Sequence, residues 1–464
     1  MVACLELNRK AREALVLSLP NTSNQQYPDR NRFQALIITV RFLPSSELCG
    51  RYMERMSRSP PAGSYSNGHH HKLLGGATSQ RDHFGSRRSR QSGGREPNRM
   101  TRVSGGQQET EASPCTDFDK AYFQSYSHVG IHEEMIKDRV RTETYKTAIL
   151  QHQKYIEGKV VVDVGCGTGI LSIFCAQAGA KRVYAVDASE IALQANEVVK
   201  ANNLSDKVIV LHGRVEDVQI DEEVDVIVSE WMGYMLLYES MLGSVIVARD
   251  RWLKPGGLIL PANAVLYMAP VTHPDRYAES IDFWRNVYGI DMSPIMPLAK
   301  QCAFEEPSVE TISGENVLTW PHVVKHVDCY TITLQELESV TTNFKFQSMM
   351  RAPFHGFAFW FDVEFCGPTD NDADAPASES TKSNPRRKRA NPNEALVLST
   401  APEDPPTHWQ QTMIYFYDPI EVEQDQVIDG KVTLTQSKEN ARFMNIHLEY
   451  ASGGRSFVKE CVLR

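Results

Sequence analysis

The hydrophobic and polar positions change their period between residues 159 and 179, which predicts a strand, a glycine turn and a helix. Four of residues 160–164 are valine, a β-branched run typical of a strand that is buried on both faces. Three glycines follow within residues 165–169, and from Ile170 the apolar positions recur with helical spacing. At the carboxyl edge of a sheet, this order of elements forms a crevice in which a nucleotide or nucleoside can bind.

The same alternation of strands and helices continues to about residue 260. Further strands are predicted near residues 183, 208 and 225, with a helix over residues 189–202 that Ser189 would cap. Alternation of this kind predicts a mostly parallel sheet that is covered by helices on both faces.

Helices are also predicted ahead of the first strand. Tyr122 and Tyr126 are separated by one helical turn and therefore share a face. The next helix is predicted over residues 131–151, where Met135, Asp138 and Arg141 follow one another at intervals of three. All three side chains can then face one cavity, although an ordinary amphipathic helix has the same pattern.

Beyond Pro261 the apolar positions alternate with a period of two. Residues 357–365 and 444–448 show this pattern, and turn residues separate such runs, which predicts an antiparallel β barrel or sandwich. Between the two halves, residues 276–303 form an apolar arm with helical character. An exposed apolar arm suggests a contact between subunits.

Composition changes this picture at two places. Residues 1–114 and 367–395 are poor in large apolar side chains, so we expect a disordered N-terminal extension and a disordered insertion. The 464 residues carry a formal net charge of −9, which argues against direct binding to nucleic acid and is compatible with basic partners. Neither an apolar run long enough for a membrane span nor a paired-cysteine zinc motif is present.

Two carboxylates near the glycine turn indicate the ligand. The glycines are spaced G-x-G-x-G, unlike the dinucleotide motif, and Asp163 directly before them would repel a phosphate. Asp187 ends the second strand, where a carboxylate can bind ribose hydroxyls. A nucleoside that carries an amine and lacks phosphate fits both, and this points to S-adenosylmethionine. The alternative is a glycine turn that packs a helix on a sheet without any ligand.

A second pair of carboxylates lies in the loop 229–241, which leaves the strand near residue 225 at the same sheet edge. A hairpin in this loop would bring Glu230 and Glu239 to one pocket. The sulfonium cofactor and an arginine side chain are both cations, so a closed site for them needs added negative charge. Two carboxylates supply that charge and match the guanidinium plane with forked hydrogen bonds. A glycosidase acid/base pair would also explain the two glutamates but would leave the nucleoside site unused.

Four motifs follow one another along the chain: the Tyr122-Phe123-x-x-Tyr126 helix, the residues 163–169, the loop 229–241 and the Thr407-His408-Trp409 triplet. Together they resemble the protein arginine N-methyltransferases of type I. The resemblance covers about residues 115–464, apart from the insertion. It implies an α/β plus β fold: a Rossmann-like methyltransferase domain over residues 115–262, then an antiparallel β barrel over residues 263–464 that carries the dimerisation arm 276–303.

The resemblance also implies a role for each matched residue. Glu230 and Glu239 would clamp the substrate guanidinium, and His408 with Asp138 would take up the released proton. Tyr126, Met135, Met241 and Trp409 would line the substrate pocket. The residues that would bind S-adenosylmethionine, with no metal, are His132, Arg141, Asp163, Gly165, Gly167, Asp187, Val215 and Glu216.

The expected reaction is methylation of arginine in histones and other Arg-rich proteins, giving monomethyl and asymmetric dimethylarginine. The resemblance further implies a head-to-tail homodimer through the arm. A basic run at residues 386–389 suggests nuclear import, so we expect the protein in nucleus and cytoplasm. Two alternatives remain on the same fold: a catalytically idle module that binds Arg-rich peptides, and a methyltransferase that acts on small molecules.

Overall fold

The computed structural model describes residues 114–367 and 395–464. The predicted extension and insertion, including the basic run at 386–389, lie almost entirely outside the described residues. The α-helices of the described part are α1 (Asp117–Tyr126), α2 (Val129–Lys137), α3 (Arg139–Gln151), α4 (Gln153–Ile156), α5 (Ile170–Gln177), α6 (Ile191–Ala201), α7 (Leu242–Trp252), α8 (Pro274–Ser280), α9 (Met296–Phe304) and α10 (Leu334–Glu338).

The first half of the described chain is built on a parallel sheet, as the alternation of strands and helices predicted. Its order is β3-β2-β1-β4-β5. The strands are β1 (Val160–Val164), β2 (Arg182–Asp187), β3 (Val208–His212), β4 (Val224–Ser229) and β5 (Leu253–Leu260). Every residue of β1 is buried, which explains its unbroken apolar pattern.

The second half is antiparallel and forms two sheets of a barrel-like domain. One sheet has the order β7-β12-β10-β6-β8 with β11 paired to β10, and the other has the order β15-β14-β13-β9. The strands are β6 (Asn263–Val271), β7 (Ser308–Glu310), β8 (His322–Asp328), β9 (Ser339–Gln347), β10 (Ala352–Phe365), β11 (Leu396–Ser399), β12 (Gln411–Val422), β13 (Val427–Gln436), β14 (Met444–Ser452) and β15 (Arg455–Leu463). The predicted fold class is confirmed.

Strand β10 is buried on both faces over residues 354–361, although its sequence alternates. Phe357 and Phe359 point into the large core that includes the parallel sheet. Ala358 and Trp360 point the other way, into a smaller core that also contains Tyr277 of α8 and Phe304 of α9. Over this stretch both faces of the strand are therefore buried, and the segment that carries the arm packs against one of them. Asp362 and Glu364, further along the strand, are only half-buried.

Two local predictions were wrong. The single helix expected over residues 131–151 is broken at Asp138, where the backbone is extended and the side chain caps α3 by accepting from Arg141 N at 3.0 Å. Ser189 does not cap α6. Its hydroxyl donates instead to Asp187 Oδ1 at 2.6 Å. In both places a short polar side chain bonds to a neighbour that sequence periodicity does not reveal.

The arm consists of short helical pieces that leave apolar side chains uncovered. Between α8 and α9 lie 3₁₀ turns at Asp282–Arg285 and Ser293–Ile295. Tyr288 is 98 % exposed, and Phe283, Ile290 and Leu298 are also exposed. Within residues 114–367 and 395–464, no helix is long and apolar enough to cross a bilayer.

Candidate active site

Three parallel strands end together and bring the chemical residues to one edge of the sheet. Val164 at the end of β1 is paired with Val186 of β2 and with Ser229 of β4. The glycine turn, Asp187 and the loop 229–241 therefore leave the sheet side by side. The chain order of these segments differs from their order in space, which is typical of ligand sites in open α/β sheets.

The glycine turn forms a cradle that side chains would fill. Gly165 has φ +74°, and an added Cβ would lie 2.1 Å from Met241 Cε. Gly167 has φ +54°, and an added Cβ would lie 3.0 Å from His132 Nδ1. Both positions combine a left-handed backbone with close neighbours, so only glycine fits without strain. The turn therefore packs closely against Met241 and His132, one expected to line the substrate pocket and the other to bind the cofactor.

Asp163 lies beneath this cradle with one unused acceptor. Its Oδ2 accepts a hydrogen bond from Ser172 Oγ at 2.6 Å, whereas its buried Oδ1 has no partner among the described residues. Burial raises the pKa of this carboxyl to about 7, although the Ser172 hydrogen bonds act to lower it. An amine from a ligand would satisfy Oδ1 and favour the charged carboxylate. The residues present therefore fit the amino acid end of S-adenosylmethionine.

The residues expected around ribose and adenine lie next to the same cradle. Asp187 Oδ2 accepts from Gly167 N at 2.8 Å, which links the carboxylate to the turn. Val215 is buried, and Glu216 Oε1 accepts from Ser244 Oγ of α7 at 2.8 Å. The carboxylates of Asp187 and Glu216 are thus held in place by the chain itself, and their role as nucleoside acceptors stays a prediction.

Glu230 is paired with a buried arginine. Glu230 Oε2 accepts from Arg141 Nε at 3.0 Å and from Nη2 at 2.9 Å. The two side chains are only 8 % and 6 % exposed. Arg141, one of the residues expected to bind S-adenosylmethionine, is thus bound to Glu230, and its charge also acts on Asp163 at the glycine turn. The pair shows that this glutamate already binds a guanidinium, while Oε1 makes no side-chain contact with Arg141.

Glu239 is held by two tyrosines of α1. Its Oε2 accepts from Tyr126 OH at 2.7 Å and from Tyr122 OH at 3.0 Å. Burial raises the pKa of the Glu239 carboxyl, and the charge of Glu230 nearby adds to this. The tyrosine hydrogen bonds and the charge of Arg442 act against that rise. Helix α1 therefore lies over the pocket and helps to keep the second glutamate charged.

Asp138 and His408 form the expected pair across the domain boundary. Asp138 Oδ2 accepts from His408 Nδ1 at 2.7 Å and from His408 N at 2.9 Å. Burial acts to raise the pKa of the Asp138 carboxyl, but hydrogen bonds from His408 and Arg141 N outweigh it, so the pKa lies below its usual value. An ionised Asp138 orients the imidazole and leaves His408 Nε2 available to accept a proton.

Trp409, expected to line the substrate pocket, packs between the loop 229–241 and strand β10. It is buried, its Nε1 donates to Met232 O of the loop 229–241 at 2.9 Å, and its ring packs against Phe361. Met135 and Met241 are partly exposed. Met135 lies at the site through its carbonyl, which accepts from Arg141 Nη1 at 3.3 Å, and Met241 lies over Gly165.

Sequence reasoning missed two contributors to this site. Tyr122 was placed on the same helical face as Tyr126, but its contact with Glu239 was not foreseen. Arg442 lies 203 residues after Glu239 and bonds to its carbonyl oxygen. The tyrosine spacing was a signal for the first, whereas no local pattern marks the second.

Comparison with known proteins identifies the family. Residues 262–382 and 387–455 match the arginine methyltransferase oligomerization subdomain, and residues 143–258 match ribosomal protein L11 methyltransferase. The chain is 77 % identical over 366 residues to probable protein arginine N-methyltransferase 6 of Arabidopsis thaliana, covering 77 % of this chain and 84 % of that protein. The chain belongs to the protein arginine N-methyltransferase family.

Other members of the family match over most of their length. Protein arginine N-methyltransferase 6 of Danio rerio is 46 % identical, covering 72 % of this chain and 90 % of that protein. Among solved structures, the Trypanosoma brucei PRMT1 enzyme–prozyme heterotetrameric complex with AdoHcy has a TM-score of 0.63 and 34 % identity, covering 74 % of this chain and 100 % of that one. The structure of Arabidopsis thaliana protein arginine methyltransferase 10 has a TM-score of 0.62 and 35 % identity, covering 74 % of this chain and 100 % of that one.

Proposed function

We propose that this protein is a type I arginine methyltransferase, which converts arginine in histones and other Arg-rich proteins to monomethyl and then asymmetric dimethylarginine. The coarser activity, S-adenosylmethionine-dependent methylation of protein arginine, is that of the family to which the chain belongs. The observation that carries the proposal is the convergence of Glu230, Glu239 and the Asp138–His408 pair beside the glycine cradle.

The two glutamates suit a substrate that stays charged. A guanidinium is not deprotonated at neutral pH, so it must be bound as a cation. Glu230 and Glu239 provide two carboxylates for it, and forked hydrogen bonds to them fix its plane. The same bonds draw positive charge toward two of the nitrogens and leave electron density on the third. When bound, S-adenosylmethionine supplies the electrophilic methyl group.

Proton removal falls to the Asp138–His408 pair. His408 Nδ1 donates to Asp138 Oδ2, so the other ring nitrogen is the one that can accept. The ionised carboxylate then stabilises the imidazolium that forms. This assigns His408 the general base and Asp138 the residue that orients it.

The type I assignment rests on room for a first methyl group. A second transfer to the same nitrogen requires space beside the attacking atom, and the residues expected there are Met135 and Met241. Methionine is unbranched and flexible, so its side chain can move aside for a methyl group. A phenylalanine at position 135 would crowd that geometry.

Amino acid analysis of a methylated histone peptide tests this proposal. We expect monomethylarginine followed by asymmetric dimethylarginine from the full-length protein. For Met135→Phe we expect the asymmetric product to fall by about tenfold relative to the monomethyl product, since crowding of the reacting nitrogen acts on the second transfer. A dominant symmetric product would refute the type I assignment, and absence of any transfer would favour a module that only binds Arg-rich peptides.

We also propose that the arm 276–303 forms a head-to-tail homodimer. The chain carries the family's oligomerization subdomain, and the arm exposes apolar side chains that a partner could cover. We expect Tyr288→Glu to shift the protein from dimer to monomer in sedimentation equilibrium. Lys438→Glu, on the exposed turn between β13 and β14, serves as the control for added charge. A dimer that withstands Tyr288→Glu would contradict this assignment of the interface.

Finally, we propose that the protein occupies both nucleus and cytoplasm. The basic run at residues 386–389 has the composition of a nuclear import signal. Replacement of these four residues by alanine should move a fluorescent fusion protein toward the cytoplasm. An unchanged distribution would remove this run as the signal.

A further inference from the structure

Helix α1 lies over the pocket although none of its residues is fully buried. A helix of ten residues is marginally stable in water by itself, so contacts with the rest of the protein must hold it. One set of contacts is made by Tyr122 and Tyr126 with Glu239. A second is an ion pair, in which Asp119 Oδ1 accepts from Arg442 Nη2 at 2.8 Å and from Nε at 3.0 Å.

Arg442 joins this helix to two other segments. It belongs to the turn 437–443 between β13 and β14, and its third nitrogen, Nη1, donates to Glu239 O at 2.9 Å. In return, Glu239 N donates to Arg442 O at 3.0 Å. The guanidinium also lies 3.8 Å from the centroid of the Tyr122 ring, a cation–π contact. One side chain of the barrel-like domain therefore contacts both α1 and the loop 229–241.

The backbone of Glu239 depends on such support. Its φ is +73° and that of Ser240 is +57°, a region that residues with a Cβ rarely adopt. Ser240 Oγ donates to Ala441 O at 2.6 Å, next to the bonds between Glu239 and Arg442. The turn 437–443 thus holds the strained backbone from which the Glu239 side chain points toward the tyrosines.

We propose that Arg442 is a positioning residue that sets the direction of Glu239 and fastens α1 over the pocket. The inference rests on the proposed function, because it gives Arg442 a part in the same methyl transfer. Since one guanidinium binds both the helix and the loop, closure of α1 and orientation of the glutamate are coupled. Asp119 strengthens the coupling, because its Oδ2 also accepts from Thr116 N at 2.9 Å and so caps the start of the helix.

The first test compares Arg442→Gln with Arg442→Lys in the full-length protein. We expect Arg442→Gln to lower kcat for methylation of a histone peptide by about tenfold or more, because a displacement of about 1 Å at a reacting group can cost roughly 100-fold. The number of S-adenosylhomocysteine molecules bound per protein molecule at saturation gives the fraction of each variant that is folded. Lysine keeps the ion pair but cannot reach Asp119 and Glu239 O together. The kcat of Arg442→Lys should therefore lie between those of Arg442→Gln and the wild type.

The second test is a double-mutant cycle with hydrogen exchange. We expect Asp119→Asn and Arg442→Gln each to lower kcat. The kcat of the double variant should be no lower than that of the less active single variant, because both substitutions remove the same ion pair. Exchange should rise in residues 117–126 of each variant and stay unchanged in β1. Arg455→Gln, an exposed arginine of the same four-stranded sheet, is the matched control and should change neither kcat nor exchange.

Clear results would overturn the proposal. A wild-type kcat together with wild-type protection of α1 in Arg442→Gln would remove its positioning role. Additive losses in the cycle would show that Asp119 and Arg442 act independently. The exchange of α1 does not depend on which methylated product forms, so a failure of the type I assignment is seen in the wild-type product analysis and is separate from a failure here.

Discussion

Glu230→Gln is expected to lower kcat for arginine methylation by about 100-fold or more, in line with the loss of one preorganised group that stabilises the transition state. The variant removes half of the negative charge that offsets the substrate guanidinium. It leaves the glycine cradle, Asp163 and Asp187 untouched, and it frees the Arg141 guanidinium for the carboxylate of the cofactor. We therefore expect the Kd for S-adenosylhomocysteine, measured by calorimetry, to rise by no more than about threefold, less than 1 kcal/mol of binding free energy.

The same change should also destabilise the protein, because it leaves a buried arginine without its counter-charge. Breaking a buried ion pair from one side costs about 3–5 kcal/mol, and the amide oxygen of glutamine recovers part of that loss. Glu222 provides the matched control, since it pairs with Arg182 but is 31 % exposed and lies outside the pocket. Glu222→Gln should leave kcat unchanged and cost less than about 1 kcal/mol. If Glu230→Gln kept more than about a tenth of the wild-type kcat, the clamp role would be wrong.

The elements around the cofactor cradle could be predicted because their signals are local. A strand buried on both faces needs an apolar run, and a turn with positive φ next to close neighbours needs glycine. The strand and the turn can therefore be recognised from the sequence of residues 160–169 alone. Strand β10 was recognised from its alternation. That alternation did not show that Ala358 and Trp360 face a second core, because burial on the outer side depends on the arm that packs there.

The parts of the site that escaped prediction depend on contacts between distant segments. The break at Asp138 could have been suspected from the preference of Asp for helix N-caps, yet the apolar pattern runs through it. The ion pair between Arg141 and Glu230, and the contacts of Arg442 with Asp119 and Glu239, join residues that no periodicity connects. Their side chains are charged and could equally have been solvated.

The hydrogen bonds to Glu239 lead to a prediction about pH. The clamp needs this carboxyl in its charged form, and its pKa is raised by burial, so activity should fall on the acid side at a higher pH than for an exposed glutamate. Tyr126 and Tyr122 donate to the carboxylate and favour the charged form. Tyr126→Phe removes one of these bonds, so the pKa of Glu239 should rise further.

We therefore expect the acid limb of the kcat/KM profile of Tyr126→Phe to move to higher pH. At neutral pH, kcat/KM should fall by about tenfold or more, because a hydrogen bond to a charged group is worth about 1.5–3 kcal/mol. Tyr122→Phe should shift the limb in the same direction but less, since its bond to Glu239 is 3.0 Å long and that of Tyr126 is 2.7 Å. Tyr417→Phe, on the exposed side of β12, controls for the loss of a hydroxyl. An acid limb that stays in place in Tyr126→Phe would mean that a group other than Glu239 sets it, and Glu239→Gln, which cannot ionise, should abolish transfer at every pH.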